Sequence, residues 1–320
     1  MKNKLLELLK KYDGYISGED IGTQLGVSRT AVWKYIKALR NDGYNIEAVT
    51  NKGYRLMPSD DVLSSMEVKI GLHTKLIGKD VLFFDTVDST NNKLRLLALE
   101  GTEEGTVVIA DEQSGGKGRR GHIWSSPKGT GLWMSVLLKP DITPQEASRI
   151  TLVAGLSVCQ GINALLGINS GIKWPNDIII EGKKVCGILT EMNAQIDNVE
   201  FVVVGIGVNV NTEFFSDELK DVAVSLRQVT CGKVKRSEVA AAIIERLEEN
   251  YNKYTQEGFL AVKADYEKNC ITLKREVKVI AKDSFNGRAI AINNDGELIV
   301  EKENGEQVTV FSGEVSVRGV

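Results

Sequence analysis

Histidine is nearly absent from this 320-residue chain, which has only His73 and His122, and cysteine is sparse: Cys159, Cys186, Cys231 and Cys270. No two cysteines form a C-x-x-C pair, so a Cys/His metal site has little to be built from and no permanent metal is expected. The thiols read as four reduced structural cysteines. No Ser/His or Cys/His arrangement for nucleophilic catalysis is recognisable. Long apolar runs are missing too, the longest, such as 201–208, falling far short of the roughly 20 residues that span a bilayer. Met1-Lys2-Asn3-Lys4 leads into an amphipathic helix carrying Glu7, not into the apolar core of a signal peptide. A cytoplasmic protein without membrane association is expected.

What is present is an ordinary globular balance, 42% hydrophobic and 26% charged, with room for two or three domains. A net charge of −3 argues against a generic nucleic-acid binder. Residues 1–60 nonetheless hold ten Lys/Arg against seven Asp/Glu, leaving 30 against 36 in the remainder. A small basic module on an acidic body implies an anionic partner for that module alone.

Spacing within 1–57 predicts three helices and a hairpin. Leu5, Leu6, Leu8 and Leu9 give the first helix its apolar face. Ser17 with Asp20 is a capping-box pattern opening a second helix that ends at Leu25. Gly26-Val27 turns, and Ser28 caps a third helix to about residue 40, with Val32, Ile36 and Leu39 on one side and Thr30, Lys34 and Lys37 on the other. Strands 44–49 and 54–56 around Asn51-Lys52-Gly53 add a wing. Helix, tight turn, helix and wing with a basic outer face predict a winged helix-turn-helix that binds DNA.

Pro58-Ser59-Asp60-Asp61 reads as a joint. Beyond it, strand-like runs at 81–84, 106–110, 132–138, 178–180, 185–191 and 201–208 mix with helical segments at 91–100, 144–166 and 237–257. Most strands follow one another without an intervening helix, so the class is α+β. From about Ile271, short strands with turns at Asn294-Asp295-Gly296 and Asn304-Gly305 suggest a small β-barrel.

Residues 116–121, Gly-Lys-Gly-Arg-Arg-Gly, match G-x-G-x-x-G after a strand, but the following stretch, with Pro127 and Gly129, cannot open the helix that a dinucleotide fold requires. A kinase loop is excluded because neither H-R-D nor D-F-G occurs. What remains is a loop whose glycines and three adjacent cations suit two anions held together. Three further clusters stand out: Lys173-Trp174-Pro175-Asn176-Asp177 ahead of Lys183 and Lys184, Asp88-Ser89-Thr90-Asn91-Asn92, and Gly205-Ile206-Gly207-Val208-Asn209. Each has a plain alternative, respectively a Pro-Asn-Asp turn, a helix N-cap and a glycine-relaxed strand.

In this order, and over the whole chain, these segments resemble the bifunctional biotin protein ligases, also called biotin operon repressors. The loop at 116–121 and Lys173-Trp174-Pro175-Asn176-Asp177 carry most of the likeness, supported by Ser89-Thr90-Asn91, Gly187-Ile188-Leu189 and 205–209. Lys117 stands where relatives often have Arg, and His122 where a basic residue is common, but Arg119-Arg120 keeps the charge. Relatives without a DNA-binding domain lack a counterpart of 1–57, so the resemblance is to the repressor subtype. It implies a winged helix-turn-helix at 1–64, a mixed α/β ligase domain of class II synthetase type at 65–270, and an SH3-like β-barrel at 271–320.

The activity implied is ATP-dependent transfer of biotin to a lysine on the biotin carboxyl carrier domain of acetyl-CoA carboxylase or a related carboxylase, through biotinyl-5'-AMP. The adenylate would also serve as corepressor for a homodimer on operator DNA. By matched position, Ser89, Thr90, Asn91, Gln113, Lys117, Gly118, Arg119 and Lys184 bind biotin. Arg119, Arg120, Trp124, Lys173, Asn176, Asp177, Asn209 and Arg318 meet ATP or the adenylate, with Mg²⁺ arriving with ATP near Asp177. Arg119, Lys184 and Asp177 form the expected catalytic set, with Asp177 as base in the second step, and Ser28, Arg29, Thr30, Lys34 and Lys37 the DNA-contacting set. A lipoate ligase, or a repressor that senses the ligand without catalysis, would be the competing readings.

Overall fold

The computed structural model describes residues 1–41, 43–58, 61–280, 284–311 and 314–317. It divides into two compact units, Met1–Glu67 and Val68–Val320. In the first, α1 (Lys2–Lys11), α2 (Gly18–Leu25) and α3 (Arg29–Asn41) precede the hairpin β1 (Ile46–Val49) and β2 (Gly53–Leu56). Ser17 caps α2 as its sequence predicts, its Oγ accepting the Asp20 N–H at 3.0 Å, and Gly26 ends the helix in the left-handed conformation. Leu5, Leu6, Leu9, Ile21, Val32, Ile36 and Leu39 form one buried core, so the 3.6-residue spacing is realised as packing. The first wing strand begins two residues later than its pattern suggests, because the Tyr44 N–H donates to Leu39 O and finishes α3 instead of pairing across the hairpin. Ser59 and Asp60 of the expected joint lie outside the described residues.

The short helix α4 (Ser65–Ile70) crosses the division between the units. The second unit is built on a seven-stranded sheet. Its elements run β3 (Val81–Val87), α5 (Thr90–Leu99), β4 (Val107–Gln113), β5 (Gly131–Leu138), α6 (Ala147–Leu166), β6 (Gly171–Lys173), β7 (Asp177–Ile180), β8 (Lys183–Ala194) and β9 (Val199–Asn209). α7 (Leu226–Thr230), α8 (Arg236–Glu257) and α9 (Leu260–Asn269) follow. The strand order is β3-β4-β5-β9-β8-β7-β6, parallel only at β3–β4, where α5 makes the crossover. The strand β5 is buried along its whole length, as a continuous apolar run dictates.

By length and composition α6 is apolar enough to cross a bilayer, yet most of that stretch is buried. It packs on α8 so closely that a Cβ at Gly161 would come within 2.9 Å of Ala242 O. Asn250 of α8 bridges the pair, donating to Ser157 Oγ and Gln160 Oε1. The helix α9 has no counterpart in the sequence expectations. Only Val262 and Tyr266 of it are buried, too few for a periodic stripe. All four cysteines are free, three of them buried and Cys231 exposed.

The C-terminal segment is an antiparallel sheet of β10 (Glu276–Ile280), β11 (Phe285–Ile292), β12 (Leu298–Glu301), β13 (Gln307–Val310) and β14 (Glu314–Val317), in the order β13-β12-β11-β10-β14. It is the SH3-like element expected, with Val277, Val279, Ala289, Leu298 and Val300 as its core.

Candidate functional site

One cavity of about 510 Å³ opens over the ladder of β8 and β9. Along that ladder Leu189 pairs with Gly205 and Gly187 with Gly207, and Lys184 lies beyond them, which sets three successive levels of the cavity wall.

At the first level lies a buried polar cluster. The Thr90 N–H and hydroxyl donate to Gln113 Oε1 at 2.8 and 3.1 Å, and Gln113 Nε2 donates to Ser126 Oγ at 2.8 Å. Asn91 Nδ2 donates to Leu189 O and to Glu191 Oε2. Ser135, wholly buried on β5, brings its hydroxyl within 2.7 Å of Thr90 Oγ1 and 2.6 Å of Asn91 Oδ1. Gly205 is required here, since a Cβ on it would meet Asn91 Oδ1 at 2.3 Å. Ser89 occupies the N-cap position of α5 without using its side chain as a cap, so the plain helix-cap reading does not account for its hydroxyl.

At the middle level the sheet presents two paired glycines, and the Trp124 indole lies on them. A Cβ at Gly187 or Gly207 would come within 2.9 or 2.6 Å of the ring. Trp124 Nε1 is buried without a hydrogen-bond partner. The third level is charged. Lys184 Nζ sits 2.7 Å from Asp177 Oδ1, an ion pair by distance although that oxygen accepts no hydrogen bond. The same ammonium lies 5.3 Å from the Trp124 ring centroid, within cation–π range.

The glycine-basic loop is a closed hairpin, which explains its glycines. Gly118 N–H donates to His122 O at 2.7 Å and Trp124 N–H to Gly116 O at 2.9 Å. Left-handed Arg120 and Gly121 reverse the chain at the tip. A side chain at Gly116 would strike Trp124 O at 2.3 Å. These two amides are used within the hairpin. Arg119 Nη1 donates to Asn176 Oδ1 at 2.7 Å, while Lys117 Nζ donates to Asn92 Oδ1.

Ser89, Thr90, Asn91, Gln113, Lys117, Gly118, Arg119, Arg120, Trp124, Asn176, Asp177, Lys184 and Asn209 all line the cavity. Lys173 does not line it. Arg318 lies outside the described residues. Sequence reasoning missed Ser135 and Glu191, and also the wall formed by residues 212–223. That wall runs beside Lys184, whose N–H donates to Val222 O and whose carbonyl accepts the Val224 N–H. Phe214 on this wall and Ile123 on the hairpin are each 89% exposed, and two adjacent phenylalanines in a polar stretch were the available signal.

In the N-terminal unit, Ser28, Arg29, Thr30, Lys34 and Lys37 are exposed, opposite the buried Val32, Ile36 and Leu39. Trp33, absent from the expected set, is 54% exposed beside them, with Lys37 Nζ 5.6 Å from its ring centroid.

Family comparisons agree with this geometry. Residues 2–55 match an HTH domain, 83–209 the biotin/lipoate A/B protein ligase family, and 272–318 the biotin protein ligase C terminal domain. The bifunctional ligase/repressor BirA of Bacillus subtilis is 40% identical over 99% of this chain and 98% of its own length. Its Escherichia coli counterpart is 30% identical over 98% and 96%. Among solved structures, a biotin protein ligase from Aquifex aeolicus in complex with biotin and ATP superposes with a TM-score of 0.66 at 32% identity, covering 75% of this chain and 99% of that one.

Proposed function

The chain belongs to the biotin protein ligase family, and from that premise we propose that it joins biotin to one lysine of a carboxylase's biotin carboxyl carrier domain through biotinyl-5'-AMP, and that its winged helix makes the adenylate a transcriptional signal. Ser89, Thr90, Asn91 and Gln113 hold the bicyclic ring at the buried polar level of the cavity. Lys184 meets the carboxylate, and Lys117, Gly118 and Arg119 fold over the ligand. Trp124, Arg120, Asn176, Asp177 and Asn209 serve the nucleotide. Lys173, expected in that set, does not line the cavity.

In the first step a biotin carboxylate oxygen attacks the α-phosphorus of ATP and pyrophosphate leaves. At 4 Å one pair of like charges repels by about 4 kcal/mol in a partly desolvated site. Lys184 and Arg119 offset that repulsion and stabilise charge growing on the phosphoryl oxygens. Mg²⁺ comes as part of the ATP substrate; among the described residues no three His, Cys, Asp or Glu side chains gather to hold a metal. In the second step the acceptor amine attacks the acyl carbon, AMP leaves, and Asp177 takes the amine proton. The free amine has a pKa of about 10.4, so it must lose a proton to react at neutral pH.

As corepressor, the adenylate orders the loops that pair two ligase units into a homodimer, which offers two winged helices to a palindromic operator. The same reading puts this work in the cytoplasm, where operator and carboxylase are found.

One arrangement carries the reading: two cations held by Asp177 and Asn176 at one end of a cavity whose other end is a buried polar cluster. The test mixes the full chain with ATP, magnesium and an apo acceptor domain, adds biotin or lipoate, and weighs the acceptor. A mass gain with biotin alone is expected. Gain with lipoate instead would make it a lipoate ligase, and gain with neither would leave a sensor.

A further inference from the structure

Trp174 stands between the two halves of the second unit. It begins the turn joining β6 to β7 and is almost wholly buried. Its backbone N–H donates to Thr272 Oγ1 at 2.9 Å, and its indole N–H donates to Gly296 O at 3.1 Å. Both partners belong to the C-terminal segment, 98 and 122 residues further along the chain. Ile271 N–H also donates to Ile172 O at 2.9 Å, so the run leading into the SH3-like sheet lies along the edge of β6.

The turn that supplies Gly296 O is itself held. Arg149 of α6 donates from Nη2 to Asp295 Oδ1 at 2.5 Å and from Nε to Asp295 O at 3.4 Å. A Cβ at Gly296, where φ is +83°, would come within 2.5 Å of Leu152. Two residues after Trp174 comes Asn176, which accepts from Arg119 at the flap tip and donates to Ile188 O, and next to it is Asp177, paired with Lys184. Only Pro175 separates Trp174 from Asn176, so residue 174 is joined by a short stretch of chain to the groups at the charged end of the cavity.

We propose that Trp174 is a positioning residue: through its bonds to Thr272 and Gly296, the C-terminal sheet sets where Asn176 and Asp177 stand, and so whether Arg119 can close on the adenylate. This rests on the ligase reading above. A buried indole N–H is stabilised by an acceptor. That the acceptor comes from the other half of the unit, together with the one for the backbone N–H, is what makes the contact a coupling.

Misplacement of about 1 Å in a reacting array lowers rates by as much as about a hundredfold. In the full chain, Thr272→Val and Trp174→Phe should lower kcat for biotin-dependent ATP–pyrophosphate exchange about tenfold while leaving the KM for biotin within about twofold. Thr272→Ser, which keeps the acceptor, should restore kcat. Combined with Asn176→Ala, Thr272→Val should add little further loss, since both act on the same contact. Asp295→Ala, at an exposed position that threatens no core, should give a smaller drop of about twofold to threefold by loosening the turn. Unchanged kcat in Thr272→Val and Asp295→Ala, or full multiplication of losses in the double variant, would overturn the proposal. Absence of biotin-dependent exchange in the wild-type chain would instead overturn the ligase reading.

Discussion

Arg119 reaches across the cavity to a neutral acceptor, Asn176 Oδ1, at 2.7 Å. A hydrogen bond involving a charged group is worth about 1.5–3 kcal/mol, or roughly tenfold to a hundredfold in an equilibrium. Arg119→Gly should therefore release adenylate faster by a factor in that range, measured as labelling of bystander lysines; equal retention would remove the flap role. Asp177 faces Lys184, the cation proposed for the first step. If it is the base, Asp177→Asn should slow transfer from preformed adenylate by roughly a hundredfold or more. An unchanged transfer rate would leave Asp177 only the task of holding Lys184. Ser135 shows what residue-level reading overlooks: a serine inside an apolar strand reads as core, and only its neighbours across the cavity reveal it as part of the polar cluster.

Among the elements, α3 was the most legible. Its cap follows from Ser28, and its apolar stripe and basic outer face follow from 3.6-residue spacing. If Lys34 and Lys37 neutralise phosphates, changing each to Ala should make the slope of log affinity for operator DNA against log salt shallower by about 0.9. A weaker affinity with an unchanged slope would mean that neither lysine meets the backbone. The role of α8 was hidden. Its Glu248 accepts the backbone N–H groups of Lys75, Leu76 and Ile77, each at 2.7 Å, and thereby ties the segment before β3 to the helix. Glu248→Gln puts an amide donor where acceptors are needed, at about 1–3 kcal/mol. The ligase unit should melt a few degrees lower, at about 2–4 °C per kcal/mol in a unit of this size. An unchanged melting temperature would show that the loop is held by its other contacts.

At the scale of the whole molecule, the proposed coupling of catalysis to repression predicts that biotin and ATP together raise operator affinity, whereas either one alone leaves it unchanged. Gel-shift titrations would decide; an affinity indifferent to the pair would refute the adenylate's corepressor role. The order of segments was readable in advance, because caps, turns, periodicity and the glycine-basic loop are local features whose physics lies within a few neighbouring residues. The placement of Lys173 and Trp174 was not. Sequence reading takes the lysine as a ligand and passes over the tryptophan, yet Lys173 stands outside the cavity and Trp174 joins the two halves of the second unit. Side chains alternate across a strand, and which face becomes a cavity depends on pairing with distant strands. Likewise, the glycine floor under Trp124 exists only once Gly187 and Gly207 are paired across β8 and β9. Local chemistry in the chain thus determined which elements form and which residues are available to react, while the tertiary structure decided which of them meet, because those meetings join residues about a hundred positions apart.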